Sequence, residues 1–423
     1  MNQRPSNEIP SGKKQSSGLF SPIRIGKVEV KNRVIMPAMI LNYHLNGYKL
    51  SEEWYEFYAR AARGGAGLIC CGATYTEMAG KQDEHQLGAD TDEWLPALTR
   101  IADTIRENGA KSCLQLNHAG RYSWESVTGS HPVAPSPIYT HYTKLVPREL
   151  TIEEIEDVIG NFADAALRAK KAGFDAVELL GATGYLISQF LSPLTNERTD
   201  KYGGDFNQRL TFVRELVHAI KAKTGDDYPL MFRISSTDNM VGGLDADDER
   251  RVAVNLVEWG VDMLNVTAGW HDSPVHQIGP SVPHGHYVPL AAKIKAVVDV
   301  PVSCAFRITG PEHARELIET GQLDMVTMAR ALLADPEWPN KARANMDNAI
   351  RRCVACCHCF DMAFKRDVME CAINPELGRK PLEKTGKPKN ILVVGGGAAG
   401  CEAARLLTLR GHQVTLAEKS KRL

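Results

Sequence analysis

Eight short apolar runs, each followed by an amphipathic stretch, predict an α/β chain whose main part is a closed (β/α)8 TIM barrel. Two further observations define the chain beyond the barrel. Five cysteines crowd between Cys353 and Cys371, and a glycine-rich turn directly after an apolar run at Asn390 opens a Rossmann-like dinucleotide-binding unit. The expected order is a disordered polar lead-in over 1–18, a barrel over 19–335, a cysteine-rich segment and linker over 336–387, and a β-α-β unit over 388–423. At 423 residues the chain has room for all of these, since a barrel takes about 250.

The expected barrel strands are 33–39, 67–73, 112–118, 174–180, 229–235, 261–267, 300–307 and 323–328. Helical patterns over 51–63, 91–107, 152–172, 206–223 and 247–259 lie between them. This alternation suits a closed parallel barrel better than an open sheet. The C-terminal unit stops just after its second strand, 413–418, and a lone β-α-β cannot cover both faces of a sheet. The chain therefore reads as part of a longer protein.

Composition excludes several classes. A hydrophobic content of 43% with 24% charged residues is that of a soluble globular protein. A net charge of −1 gives no electrostatic drive towards nucleic acid or an anionic membrane. No apolar run approaches a membrane span, and residues 1–18 lack the apolar core of a signal peptide, so a cytoplasmic location is expected. Cys70, Cys71, Cys113, Cys304 and Cys401 lie in apolar surroundings and read as small core residues.

The fourth strand leads into the most informative stretch, GFDAVELLGATGYLISQFLSPLTNERTDKYGGDF, residues 173–206. An apolar strand breaks at Gly181 and Gly184, where a backbone can turn or approach a ligand closely. Tyr185 and a charged loop come next, the place where barrel enzymes keep their chemistry.

Within this stretch GYLISQFLSP and NERTDKYGG resemble the Old Yellow Enzyme, or NADH:flavin oxidoreductase, family nearly letter for letter. Leu180 and Thr183 stand where most of that family has two polar ring-stacking residues. The 2,4-dienoyl-CoA reductase branch also lacks that pair. The resemblance implies FMN, with Pro37, Ala38, Met39 and Ala73 against the flavin ring and Gln115 on its pyrimidine edge. It implies Arg233 near N1, and Arg307, Ala329 and Arg330 at the phosphate. Each arginine taken singly would read as a barrel-rim ion pair.

Tyr185 matches the family's proton donor, a phenol able to protonate the carbon next to the one that takes hydride. His271, in VTAGWHDSP after the sixth strand, matches a GWH of the dienoyl-CoA reductase branch and would assist Tyr185 and polarise a substrate carbonyl. A packing role is the plain alternative for both. His118, in QLNHAGR, reads as structural or flavin-adjacent.

Cys353, Cys356, Cys359 and Cys371 form C-x2-C-x2-C-x11-C, four thiolates with three on one loop. That suits a 4Fe-4S cluster, with structural zinc as the alternative and Cys357 as an extra thiol. The spacing of the first three resembles trimethylamine-dehydrogenase-like enzymes rather than dienoyl-CoA reductases. Gly395, Gly397 and Gly400, with Glu418 at the end of the next strand, form a G-x-G-x-x-G site for FAD phosphate and ribose.

The favoured expectation is an NAD(P)H-dependent reductase of an α,β-unsaturated carbonyl, possibly a CoA thioester. Electrons would pass through FAD and the cluster to FMN. An amine dehydrogenase running electrons outward is the second reading. A non-catalytic flavin-binding or electron-transfer subunit is the third. Substrate tail, NADH against NADPH and oligomeric state carry no signal.

Overall fold

A computed structural model of the chain describes residues 18–274, 278–379 and 382–421. Apart from Gly18, the expected lead-in lies outside the described residues. The described chain forms two compact units that divide between Leu377 and Gly378.

All eight expected barrel strands form: β1 (Val34–Met36), β2 (Leu68–Tyr75), β3 (Lys111–Asn117), β4 (Ala176–Gly181), β5 (Leu230–Ser235), β6 (Met263–Thr267), β7 (Val302–Cys304) and β8 (Met325–Thr327). They pair in parallel in chain order, and β1 closes the ring by pairing with both β8 and β2. Three of them, β1, β7 and β8, span only three residues, because only their central residues share ladder bonds. The helices around them are α1 (Glu52–Arg63), α2 (Leu95–Glu107), α3 (Ile152–Lys171), α4 (Thr211–Thr224), α5 (Ala246–Glu258), α6 (Val288–Lys295) and α7 (Pro311–Glu319), and then the short α8 (Trp338–Arg343).

Two helices differ from expectation for local reasons. The pattern expected from 91 becomes a regular α-helix only at Leu95, because a proline sits in the first turn, where its missing N–H is tolerated. The pattern expected over 206–223 is two helices, Phe206–Arg209 and α4, joined at Leu210. Asp205 forms a capping box with Gln208 that starts the first of them.

The barrel interior is layered by the two-residue period of its strands. Cys113, Ala176, Met231, Met263 and Met325 form an apolar floor, closed from below by Ile25 and Val30 of an antiparallel hairpin. Two residues further along each strand stand Gln115, Glu178, Arg233, Asn265 and Thr327. Gln115 and Asn265 both donate to the Glu178 carboxylate, at 2.6 and 2.9 Å. Thr327 and Ser303 donate in turn to the Asn265 side-chain oxygen, at 3.0 and 3.2 Å. The polar layer is a connected network directly beneath the open end.

Gly181 ends β4 for a packing reason rather than for a ligand. A Cβ there would lie 2.1 Å from the Phe232 ring. We expect Gly181→Ala to cost about 1–3 kcal/mol by overpacking, read as a lower urea midpoint with an unchanged slope.

The cysteine segment packs on the barrel. Met369 N–H donates to the Leu41 carbonyl at 2.9 Å, and the Asn374 amide to the Leu333 carbonyl at 2.7 Å. A helix within it, α9, spans His358–Lys365.

The second unit is a small β-α-β: β9 (Asn390–Val394) and β10 (Gln413–Ala417) in parallel, linked by α10 (Ala398–Leu409). Cys70, Cys71, Cys113 and Cys304 are buried as expected. Cys401 differs, being only half-buried, because α10 has no buried face within this unit. Among the described residues no helix is long and apolar enough to cross a membrane.

Candidate active site

The strand ends open into one cavity of about 660 Å³, within the range of small-molecule sites. Its wall includes Pro37, Ala38 and Met39 after β1, Ala73 of β2, Gln115 of β3, Arg233 of β5, and Ala329 and Arg330 after β8. Leu180, Thr183, Tyr185, His271 and Arg307 line it too, as do Cys353 and Cys359 from the cysteine segment. The barrel residues expected from sequence therefore converge on one space.

Pairing between the β4 and β6 loops brings the acid–base candidates together. Thr183, at φ +61°, bridges in parallel to Trp270, and His271 N–H points to the Thr183 carbonyl at 3.4 Å. Tyr185 and His271 then meet, with His271 Nε2 3.1 Å from the Tyr185 hydroxyl. That hydroxyl donates to Gln82 Oε1 at 3.0 Å, so its single proton is committed. With that proton on the Gln82 side, the His271 tautomer that completes the set carries its hydrogen on Nε2 and donates to Tyr185. Burial pushes the Tyr185 phenol above its usual range. It pushes His271 down to about 4, against a smaller opposing effect from the neighbouring Asp272. At neutral pH the pair is thus a protonated phenol supported by a neutral N–H donor.

The loop is held by Asp272. Its carboxylate accepts from Arg121 at 2.6 Å, the Tyr122 hydroxyl at 2.9 Å and Tyr142 N–H at 3.0 Å. These bonds bring the Tyr142 ring onto His271, with centroids 5.0 Å apart and planes 26° apart. One consequence concerns stability. Below about pH 6.5 the unfolded chain takes up a proton that the folded imidazole refuses until about 4. Stability therefore falls as pH falls across that window. His271 should contribute a loss of at most about 2 kcal/mol between pH 7 and 5. Comparing urea midpoints at the two pH values, His271→Asn should show a correspondingly smaller drop.

The arginines differ in their engagements. Arg233 has a buried Nε without a hydrogen-bond partner among the described residues, and its charge partly offsets the burial that raises the Glu178 pKa. Arg307 donates to the Pro280 and Val282 carbonyls. Arg330 donates to the Ile278 carbonyl at 2.6 Å. His118 is structural: its Nδ1 accepts from Gly120 N–H at 3.0 Å and its Nε2 stands 2.8 Å from Glu77.

Among the described residues no group of three or more Cys, His, Asp or Glu side chains stands at metal-ligating separation. Cys359 and Cys371 nonetheless each lie within electrostatic reach of other thiols of the segment. Burial pushes Cys359 up to about 11, with Cys353 and Cys371 adding to the shift, and Cys371 feels both Cys353 and Cys356. Cys357 faces elsewhere, with Sγ 3.6 Å from the Ile278 carbonyl and 3.8 Å from Arg330.

In the second unit Gly395 has φ +100°, and a Cβ on Gly400 would lie 1.8 Å from the Gly395 carbonyl. Gly397 caps α10. Glu418, one residue past β10, accepts from Gly396 N–H at 2.6 Å and Ser420 N–H at 2.8 Å.

Gln82, Tyr142, Trp124 and Arg366 line the cavity but were not among the sequence candidates, because they come from irregular loops and a helix end. Glu178 was the detectable omission: a carboxylate inside the apolar run VELL has to be paired.

The NADH:flavin oxidoreductase / NADH oxidase profile matches residues 18–349. The chain belongs to that family. A pyridine nucleotide-disulphide oxidoreductase profile matches residues 390–423. The metal reductase of Desulforamulus reducens is 44% identical over 95% of this chain and 60% of its own length. The cinnamate reductase of Clostridium sporogenes is 37% identical over 96% and 65%. Among solved structures, 2-naphthoyl-CoA reductase with 2-naphthoyl-CoA superposes with a TM-score of 0.91 at 34% identity, over 96% of this chain and 65% of that one. Histamine dehydrogenase from Rhizobium sp. 4-9 gives 0.87 at 29%, over 96% and 60%. The chain thus spans under two thirds of the length of these family members.

Proposed function

We propose that the barrel binds FMN and reduces the C=C bond of an α,β-unsaturated carbonyl compound, with electrons that originate in NAD(P)H. The observation that carries this reading is the Tyr185–His271 pair, a phenol kept protonated and a neutral imidazole 3.1 Å from it, on the wall of the cavity at the strand ends. The cavity residues fit a flavin. Arg233 has an unpartnered buried Nε, and Pro37, Ala38, Met39 and Ala73 offer small or apolar surfaces. When bound, FMN supplies hydride to one alkene carbon. Tyr185 gives the proton to the neighbouring carbon, and the His271 N–H stabilises the phenolate left behind. Arg233 would offset negative charge on the reduced flavin, Gln115 would hydrogen-bond it, and Arg307, Ala329 and Arg330 would hold its phosphate. The cinnamate and 2-naphthoyl-CoA reductases named above support this reaction class, the latter as a CoA thioester.

Cys353, Cys356, Cys359 and Cys371 would hold a 4Fe-4S cluster, which passes electrons one at a time. The electrostatic reach of Cys359 and Cys371 to other thiols of the segment supports that donor set, and thiol protons would leave as the cluster binds. Gly395, Gly397, Gly400 and Glu418 would take FAD phosphate and ribose, consistent with the second profile match. A soluble cytoplasmic enzyme without nucleic-acid or membrane partners fits this chemistry.

The cysteine spacing and the likeness to histamine dehydrogenase favour a second reading, an amine dehydrogenase. Leu180 and Thr183 count against it, since the amine enzymes resembled have Tyr and His there. Anaerobic addition of dimethylamine to the oxidised protein decides between the two. Under the first reading the flavin spectrum stays oxidised; bleaching by the amine would replace it with the second.

A further inference from the structure

The charges lining the cavity are unequal. Four arginines face it, Arg233, Arg307, Arg330 and Arg366, against one carboxylate, Asp83, among the described residues. The proposed flavin site uses the first three. Arg366 remains, carried by the cysteine segment at the C-terminal end of α9.

Its surroundings differ from those of the others. The Arg366 guanidinium makes no hydrogen bond among the described residues, and its Nε stands 3.9 Å from Asp83, too far for one. The guanidinium lies 5.9 Å from the Trp124 ring centroid and is close enough to Tyr142 to lower its phenol pKa against burial. Tyr142 in turn leads to the reacting end: Gln82 donates to its hydroxyl at 3.4 Å and accepts from Tyr185 at 3.0 Å. A partly exposed cation whose donors make no hydrogen bond therefore stands two side chains from the proton donor, with Asp83 as its neighbouring carboxylate. Such a position attracts an anion and repels an ammonium group.

We infer that Arg366 is the substrate's anion anchor, and that the substrate is an unsaturated free carboxylate, a 2-enoate whose carboxylate oxygens pair with this guanidinium. This rests on the C=C reductase reading above and narrows its substrate class. A CoA thioester would bring its own anion, a tail phosphate, to the same cation, so the test must separate the two sources.

The test measures equilibrium binding to the oxidised holoprotein by perturbation of the flavin spectrum, without turnover. The probes are crotonate, its neutral shape analogue 3-penten-2-one, crotonyl-CoA and the neutral crotonyl N-acetylcysteamine thioester. For Arg366→Met, the ratio of crotonate to 3-penten-2-one affinity should fall about 10- to 100-fold, the loss of a charged hydrogen-bonding partner. Arg366→Lys should restore most of that ratio, and Asp83→Asn, which removes the competing carboxylate, should raise it. A fall confined to crotonyl-CoA relative to its N-acetylcysteamine analogue would assign the cation to a CoA phosphate and overturn the inference. An unchanged ratio in Arg366→Met and Asp83→Asn would overturn it as well. Because binding is read apart from reduction, loss of crotonate binding in a protein that reduces no alkene would defeat the reaction assignment and leave the anchor standing.

Discussion

Tyr185→Phe should leave flavin loading and chemical reduction of the flavin near normal and slow reoxidation by an enoate by roughly 10²–10⁴-fold. The substitution keeps the ring and removes only the hydroxyl that His271 and Gln82 share. No second acid of equal placement is present among the described residues. His271 has been pushed down to about 4, so at neutral pH it has no imidazolium proton to give. Gln82 is a neutral amide. Between pH 5 and 9 the wild-type reoxidation rate should therefore lack a step from His271, since both its titration and that of the raised phenol fall outside the window. Stopped-flow timing of the two half-reactions separates this from a binding defect. Normal reoxidation of Tyr185→Phe would move the proton source elsewhere.

Cys353→Ala, Cys356→Ala, Cys359→Ala and Cys371→Ala should each abolish or nearly abolish stable iron binding, whereas Cys357→Ala should keep it. The distinction comes from where the thiols face. Cys353 and Cys371 act on Cys359, and Cys353 and Cys356 on Cys371, while Cys357, at φ +60°, turns its sulfur to the Ile278 and Ala355 carbonyls. Iron and acid-labile sulfide per chain provide the measurement. FMN should survive all five changes, because its proposed contacts lie on the barrel strands. Iron retained by Cys359→Ala and lost from Cys357→Ala would shift the ligand register by two residues.

The barrel was legible because a parallel strand buried on both faces reads as a continuous apolar run. Each of the eight runs became a strand, although hydrogen-bonded ladders cover only the middle of several, as at Val302–Cys304. The residues at strand ends were legible through the motifs that carry them, and Tyr185, His271, Gln115 and Arg233 do meet at one cavity. Their roles rest on the proposals above. What escaped is physical in kind. Trp124, Tyr142 and Gln82 sit in loops, where no periodicity marks which side chain turns inward. Arg366 lies just past a helix whose sequence was read only for its cysteines. The polar layer could have been anticipated: Gln115, Glu178, Arg233 and Asn265 recur two residues above the floor positions, and only interior pairing makes so many polar groups tolerable in a barrel core.

Delivery of hydride and proton across an activated C=C bond is the reaction assigned to this cavity, and a single turnover measures it directly. Dithionite-reduced protein, freed of excess reductant and kept anaerobic, is mixed with crotonate or 3-penten-2-one. The flavin should reoxidise, with saturated product appearing in proportion to the flavin reoxidised. A flavin that stays reduced with both compounds, or reoxidises without saturated product, would contradict the assignment.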